Sequence, residues 1–96
     1  MLTTREAFTE IENQMIRTLE KTRDEKIKEF PDYQFRFHIW ASKDLDDLCE
    51  SVHEAIQIFL HYVVEYGEAH LWYNVDDKGG DVDTNSIFTW KKDDTQ

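Results

Sequence analysis

Three groups of side chains have the types and spacing that chemistry uses, and each is incomplete. Asp81, Asp83 and Asn85 stand at positions one, three and five of a calcium loop, where carboxylate and amide oxygens coordinate the ion. Position six, however, is Ser86 where a glycine makes the turn, and position twelve is Lys92 where a bidentate glutamate belongs. Glu50 and His53 have the Glu-x-x-His spacing that sets two ligands on one helical face in di-iron bundles, but no second copy follows. Cys49 and His53 have the one-turn spacing of a thiolate and its base, yet Cys49 borders an apolar stripe and no third group orients the imidazole. Glycine-rich phosphate loops and nucleophile elbows are absent. The sequence therefore predicts no enzyme, no metal site and no cofactor.

Charge is the stronger signal. The chain of 96 residues carries a net charge of −10. Its first thirty residues hold seven acids against six bases, whereas residues 31–96 hold fourteen against five. Nucleic acids and anionic membranes repel such a surface, so a basic protein is the expected partner. A helix expected from Ser42 or Asp44 to Tyr66 places Asp46, Asp47, Glu50 and Glu54 opposite its apolar stripe, with Asp44 in its first turn and no base after Lys43. Glu65, Glu68, Asp76, Asp77, Asp81 and Asp83 continue the same sign through the helix end and a hairpin loop. Carboxylates at helical spacing advance by about 5 to 6 Å per turn, the order of the phosphate spacing on a nucleic-acid strand.

Small size, strong acidity and the rows Asp46-Asp47-Glu50-Glu54, Asp76-Asp77 and Asp81-Asp83 together resemble the phage-encoded DNA-mimic inhibitors, which include the anti-restriction nuclease proteins of T-even phages. The resemblance implies inhibition by occupying the DNA site of a restriction nuclease or another basic DNA-binding protein. Two other functions fit the same residues. One is an immunity or antitoxin protein that neutralises a single basic toxin; the other is an adaptor that binds through aromatic side chains, with the acids serving solubility.

The aromatic alternative comes from strand alternation. Tyr33, Phe35, Phe37 and Ile39 alternate with Gln34, Arg36, His38 and Trp40, and Ala69, Leu71, Tyr73 and Val75 alternate with His70, Trp72 and Asn74. If the first set of each strand faces the helices, Arg36, His38, Trp40, His70 and Trp72 line the other side of the sheet, joined by Phe88 and Trp90 or by their neighbours. Large aromatics on an uncovered sheet face mark a contact surface, and a homodimer is the economical occupant.

These residues need a scaffold. With 40% apolar and 14% aromatic residues the chain has the material for one folded domain of ordinary size. Thr3 and Glu6 have capping-box spacing, and Phe8, Ile11, Met15, Leu19, Ile27 and Phe30 recur at mostly helical intervals up to Pro31, which predicts a first helix over about 4–29. Strands follow at 33–40, 69–75 and 87–90, and Gly67 stops the second helix. The expected class is α+β in the order α-β-α-β-β, a three-stranded antiparallel sheet with two helices packed on one face and a flexible tail over about 91–96. A single cysteine, Cys49, and the lack of any apolar run near the roughly 20 residues of a membrane span point to the cytoplasm.

Overall fold

The computed structural model describes residues 4–92, arranged as α1 (Thr4–Glu29), β1 (Gln34–Trp40), β2 (Asp46–Cys49), α2 (Val52–Tyr66), β3 (Glu68–Asp77) and β4 (Gly80–Lys91). The strands form one antiparallel sheet of four in the order β2-β1-β3-β4. Both helices pack on the same face of it. The α+β class and the helix-on-one-face layering agree with the sequence; the strand count and the element order do not. Thr3 of the expected capping box and residues 93–96 of the expected flexible tail lie outside the described residues.

The fourth strand comes from the segment predicted to open α2. After β1 the chain turns, with the Asp44 amide donating to the Ala41 carbonyl at 2.9 Å and Asp44 in the left-handed region at φ 59°. Asp46–Cys49 then runs back along β1, pairing Trp40 with Asp46, His38 with Leu48 and Phe37 with Cys49. The helix begins only after Ser51, whose extended backbone (φ −123°, ψ 154°) is that of an N-cap and whose hydroxyl accepts from the Glu54 amide at 3.1 Å. The Glu54 carboxylate in turn accepts from the Glu50 amide at 3.1 Å, so Ser51 and Glu54 serve as a capping box shifted by one residue. Leu45 and Leu48, expected on the helix stripe, are exposed, and Cys49 is fully buried instead. Adding β2 gives β1 a paired neighbour on both sides, which moves the sheet edge from an apolar strand to a short acidic one.

The core lies between the helices and the sheet. Phe37 and Ile39 from β1, Leu71 and Val75 from β3, Met15 and Leu19 from α1 and Phe59 from α2 are at most 1% exposed. Full burial of such a side chain stabilises by about 1.5–3 kcal/mol, so these residues hold the two layers together. Ile27, counted in the expected stripe of α1, is exposed. The C-terminal end of α1 is held by Lys26, whose ammonium lies 2.5 Å from Asp83 of β4 and 5.7 Å from the centre of the Tyr73 ring. Gly67 closes α2 at φ 74°, its amide bonded to the Val63 carbonyl at 3.0 Å and its carbonyl accepting from the Lys92 amide at 2.7 Å.

Two register shifts in the β3–β4 hairpin decide which way its side chains point. Leu71 pairs with Phe88 but Trp72 with Ser86, leaving Ile87 as the extra residue; Val75 pairs with Asp83 but Asp76 with Asp81, leaving Val82. The first shift sends Phe88 and Trp90 to the helix side, where both pack on the core, and Ser86 and Thr84 to the other side. Trp90 therefore does not join the open-face aromatics. The acidic stretch expected as a loop is instead paired strand from Gly80 onward, because the polar residues 81–86 are held by backbone bonds to β3.

Candidate functional site: the open face of the sheet

Both helices cover one side of the sheet, and among the described residues no element covers the other. That open face carries Arg36, His38 and Trp40 from β1, His70, Trp72, Asn74 and Asp76 from β3, Asp46 and Leu48 from β2, and Asp81, Thr84, Ser86 and Thr89 from β4. Neighbouring strands bring Asp46, Trp40 and His70 into one row and Leu48, His38 and Trp72 into the next. Arg36 and Asn74 are register partners, and so are Asp76 and Asp81.

Within this face lies a cleft of about 360 Å³. Trp40 and Trp72 supply its aromatic lining, His38, Asn74 and Thr84 its neutral polar groups, and Asp44, Asp46 and Asp81 its acids. The Trp40 indole stacks on the His70 imidazole at 4.0 Å and 13° between planes, which holds the two rings parallel and covers one face of the indole. His38 Nδ1 approaches Asp46 at 3.4 Å, and His70 Nδ1 lies 3.2 Å from the Thr89 hydroxyl.

The hydrogen-bond accounting singles this face out. Among the described residues five buried side-chain polar atoms have no hydrogen-bond partner, namely His38 Nε2, His70 Nε2, Trp72 Nε1, Asn74 Oδ1 and Asp76 Oδ1. All five belong to open-face positions of β1 and β3. His70 Nε2 sits 3.3 Å from a Glu68 oxygen without hydrogen-bond alignment, so a charge contact partly serves it when the ring is protonated. The other four have no such substitute. Each buried polar atom left without a partner costs about 1–3 kcal/mol, and native folds retain few of them. A second depression of about 540 Å³ lies between the helices, beside Ile16 and Ile56, but none of its polar side chains is buried and unpartnered.

The expected acidic row does not exist as one surface. Asp46 faces the open side of β2, whereas Asp47 faces the helices and accepts from the Tyr62 hydroxyl. Glu50 precedes α2 and Glu54 caps it, so neither continues a helical row with Asp46 and Asp47. Glu65 is exposed on α2, away from the open face. Glu68 sits on the open face but meets Lys91 at 3.5 Å and His70. Asp77 accepts from the Gly79 amide at 2.8 Å in the hairpin turn. Asp83 points to the helix side, where Lys26 and the Tyr73 hydroxyl hold its carboxyl below the usual aspartate range. Asp44, Asp46, Asp76 and Asp81 remain as the acids of the open face. Extended strand in place of helix is the reason for the division, since successive residues then point to opposite sides.

The extra residue Val82 turns Asp81 and Asp83 to opposite faces of β4, so they cannot converge on one ion. Among the described residues no group of three or more metal-binding side chains comes together. Cys49 belongs to β2 and His53 to α2; burial, with help from Glu54 and Asp47, pushes the Cys49 thiol up to about 12, far from a nucleophile at neutral pH.

The aromatic alternation predicts Arg36, His38, Trp40, His70 and Trp72 on one face, and the structure brings all five there. Asn74 is the residue that sequence reasoning passes over. Its signal is an asparagine in mid-strand at a position that alternation assigns to the outer face, yet it is only 9% exposed. No helix of the described chain is long and apolar enough to cross a membrane. No protein-family model matches the chain, and comparison with curated proteins and with solved structures gives no match.

Proposed function

We propose that the protein is a binding module that captures a basic protein partner on the open face of its sheet and blocks the partner's own basic site. The observation that carries this is the coincidence, on one uncovered face, of an acidic rim with every buried unpartnered side-chain polar atom of the described residues. A face that holds unpaired buried groups is destabilised by them, and a ligand that supplies the missing partners restores the loss. The rim selects the sign of that ligand. Asp44, Asp46, Asp76 and Asp81 outnumber the bases of this face, Arg36 and Lys91, and Lys91 is already paired with Glu68. Two copies of this face would bring like charges together, which favours a basic partner over the expected homodimer.

Basic DNA-binding proteins and nucleases present such partner surfaces, so inhibition of the DNA-mimic kind is retained, with the open face rather than a helical carboxylate row as the contact. The test is a titration with octa-lysine and with a duplex-bound basic DNA-binding protein. Wild-type protein is expected to bind the peptide at least tenfold more weakly when salt rises from about 50 to about 300 mM, as rim charges require. It is also expected to displace the duplex, and Trp72→Ala with Asp46→Asn is expected to lose both activities while Glu65→Gln keeps them. Equal binding by all variants would overturn the proposal.

A further inference from the structure

We infer that the open-face cleft is an arginine pocket, which takes one guanidinium group of the basic partner. The inference rests on the binding reading above and adds to it the chemical identity of the group that enters the cleft.

Asn74 is the first ground. It is 9% exposed and lines the cleft, and its amide orientation is set by Asp81. A carboxylate only accepts, so the group that approaches it at 3.1 Å must be the Asn74 Nδ2 donor, which leaves Oδ1 as the acceptor without a partner. The cleft therefore asks for a donor at that atom. Around it stand the carboxylates of Asp81 and Asp46, the His38 imidazole and the Thr84 hydroxyl, while the neighbouring cation Arg36, its register partner, donates to the Gln34 side chain instead. Asp76 and Asp81, cross-strand partners on the same face, repel each other until a cation lies near them.

The shape of the cleft decides between the two basic side chains. A lysine ammonium is compact and strongly hydrated, and gains most where water stays. A guanidinium is planar, weakly hydrated and carries five donors in a fixed fork; it lies flat on an indole while its edge reaches several acceptors. Trp72 and the Trp40 face not stacked on His70 provide indole surface, and Asn74 with the acidic rim provides acceptors. Trp72 Nε1, the one unpartnered atom that can only donate, then finds its acceptor in a main-chain carbonyl of the arginine-bearing segment.

The experiment follows the three indole Nε1–H resonances of isotope-labelled protein during titration with acetyl-arginine-methylamide, and separately with acetyl-lysine-methylamide and octa-lysine. The arginine amide is expected to shift the Trp72 and Trp40 indoles, with at least tenfold tighter binding than the lysine amide, and Asn74→Ala is expected to remove that preference. Equal affinity for the two amides, or an unchanged preference in Asn74→Ala, would overturn the arginine assignment. If octa-lysine shifts the open-face resonances while the arginine amide does not, the assignment fails and the basic-partner reading stands. If neither ligand shifts them, both fail. The Asn74→Ala protein is checked for its native amide spectrum, and Asp81→Asn, which frees the amide to rotate, gives an independent second variant with the same expected loss.

Discussion

The side chain of Asn74 donates to Asp81 across 3.1 Å, and by that single bond the Asp81 carboxylate fixes which end of the amide is left without a partner. The other end, Oδ1, is buried and unpartnered. Replacing Asn74 by leucine removes this atom, together with the Nδ2 bond to the exposed Asp81, and keeps the branched shape of the side chain. Stability is therefore expected to stay level or to rise by about 1 kcal/mol, with partner binding abolished, since deleting an unsatisfied buried acceptor recovers its desolvation penalty. Urea denaturation alongside peptide titration measures both. A loss of more than about 2 kcal/mol would mean that Asn74 is a structural residue whose partner is elsewhere.

The Lys26–Asp83 pair ties α1 to the last strand and should set the response to pH. Asp83 is held low by Lys26, so its contribution is present above the ordinary aspartate range and is lost as pH falls through its lowered value. Lys26 is raised mainly by Asp83, so its contribution is present below the ordinary lysine range and is lost as pH rises through the raised value. The pair is intact across neutral pH. Asp83→Asn is expected to cost about 1 kcal/mol at pH 7, modest because both side chains keep some solvent contact, and to flatten the stability loss in acid. A pH profile parallel to wild type would show that the pair contributes nothing.

Ser51→Ala removes the hydroxyl that caps α2 and is expected to cost about 1 kcal/mol, whereas Glu54→Gln retains an acceptor for the Glu50 amide and should cost less. Gly67→Ala should cost about 1 kcal/mol as well, because φ 74° is unfavourable for any residue with a Cβ, although the nearest neighbour, the Lys92 side chain, leaves room at 3.6 Å. Chemical denaturation of each variant checks these values.

Cys49 is fully buried, with its thiol raised to about 12. In native protein at neutral pH it should resist a disulfide exchange reagent that labels the unfolded chain at once. Rapid native labelling would mean that β2 opens readily from the sheet edge.

How much of this was legible beforehand follows from where periodicity speaks. β1 and β3 alternate apolar with polar residues over their whole length, so their faces, and with them Arg36, His38, Trp40, His70 and Trp72, can be read directly. The same is true of α1 up to Pro31. β2 cannot be read that way, because Asp46-Asp47-Leu48-Cys49 has only Cys49 to bury and its neighbours Leu45 and Leu48 fall at helical spacing with the true α2 stripe. The Ser51–Glu54 cap was the available sign that the helix starts later. Trp90 lies on the helix side because of a single extra residue at Ile87, a register shift without any compositional mark. Asn74 shows in the sequence only as a mid-strand asparagine of the outer set; its burial follows from the assembled sheet, where β1 and β4 flank it.

The most direct test of the open face as the binding surface is a residue-by-residue map of backbone amide and indole shifts on addition of octa-arginine. Changes confined to β1, β3 and the loop at 41–45, with α2 and its exposed Glu65 unmoved, are the predicted result. Changes centred on α2, or spread evenly over every acid of the chain, would contradict it.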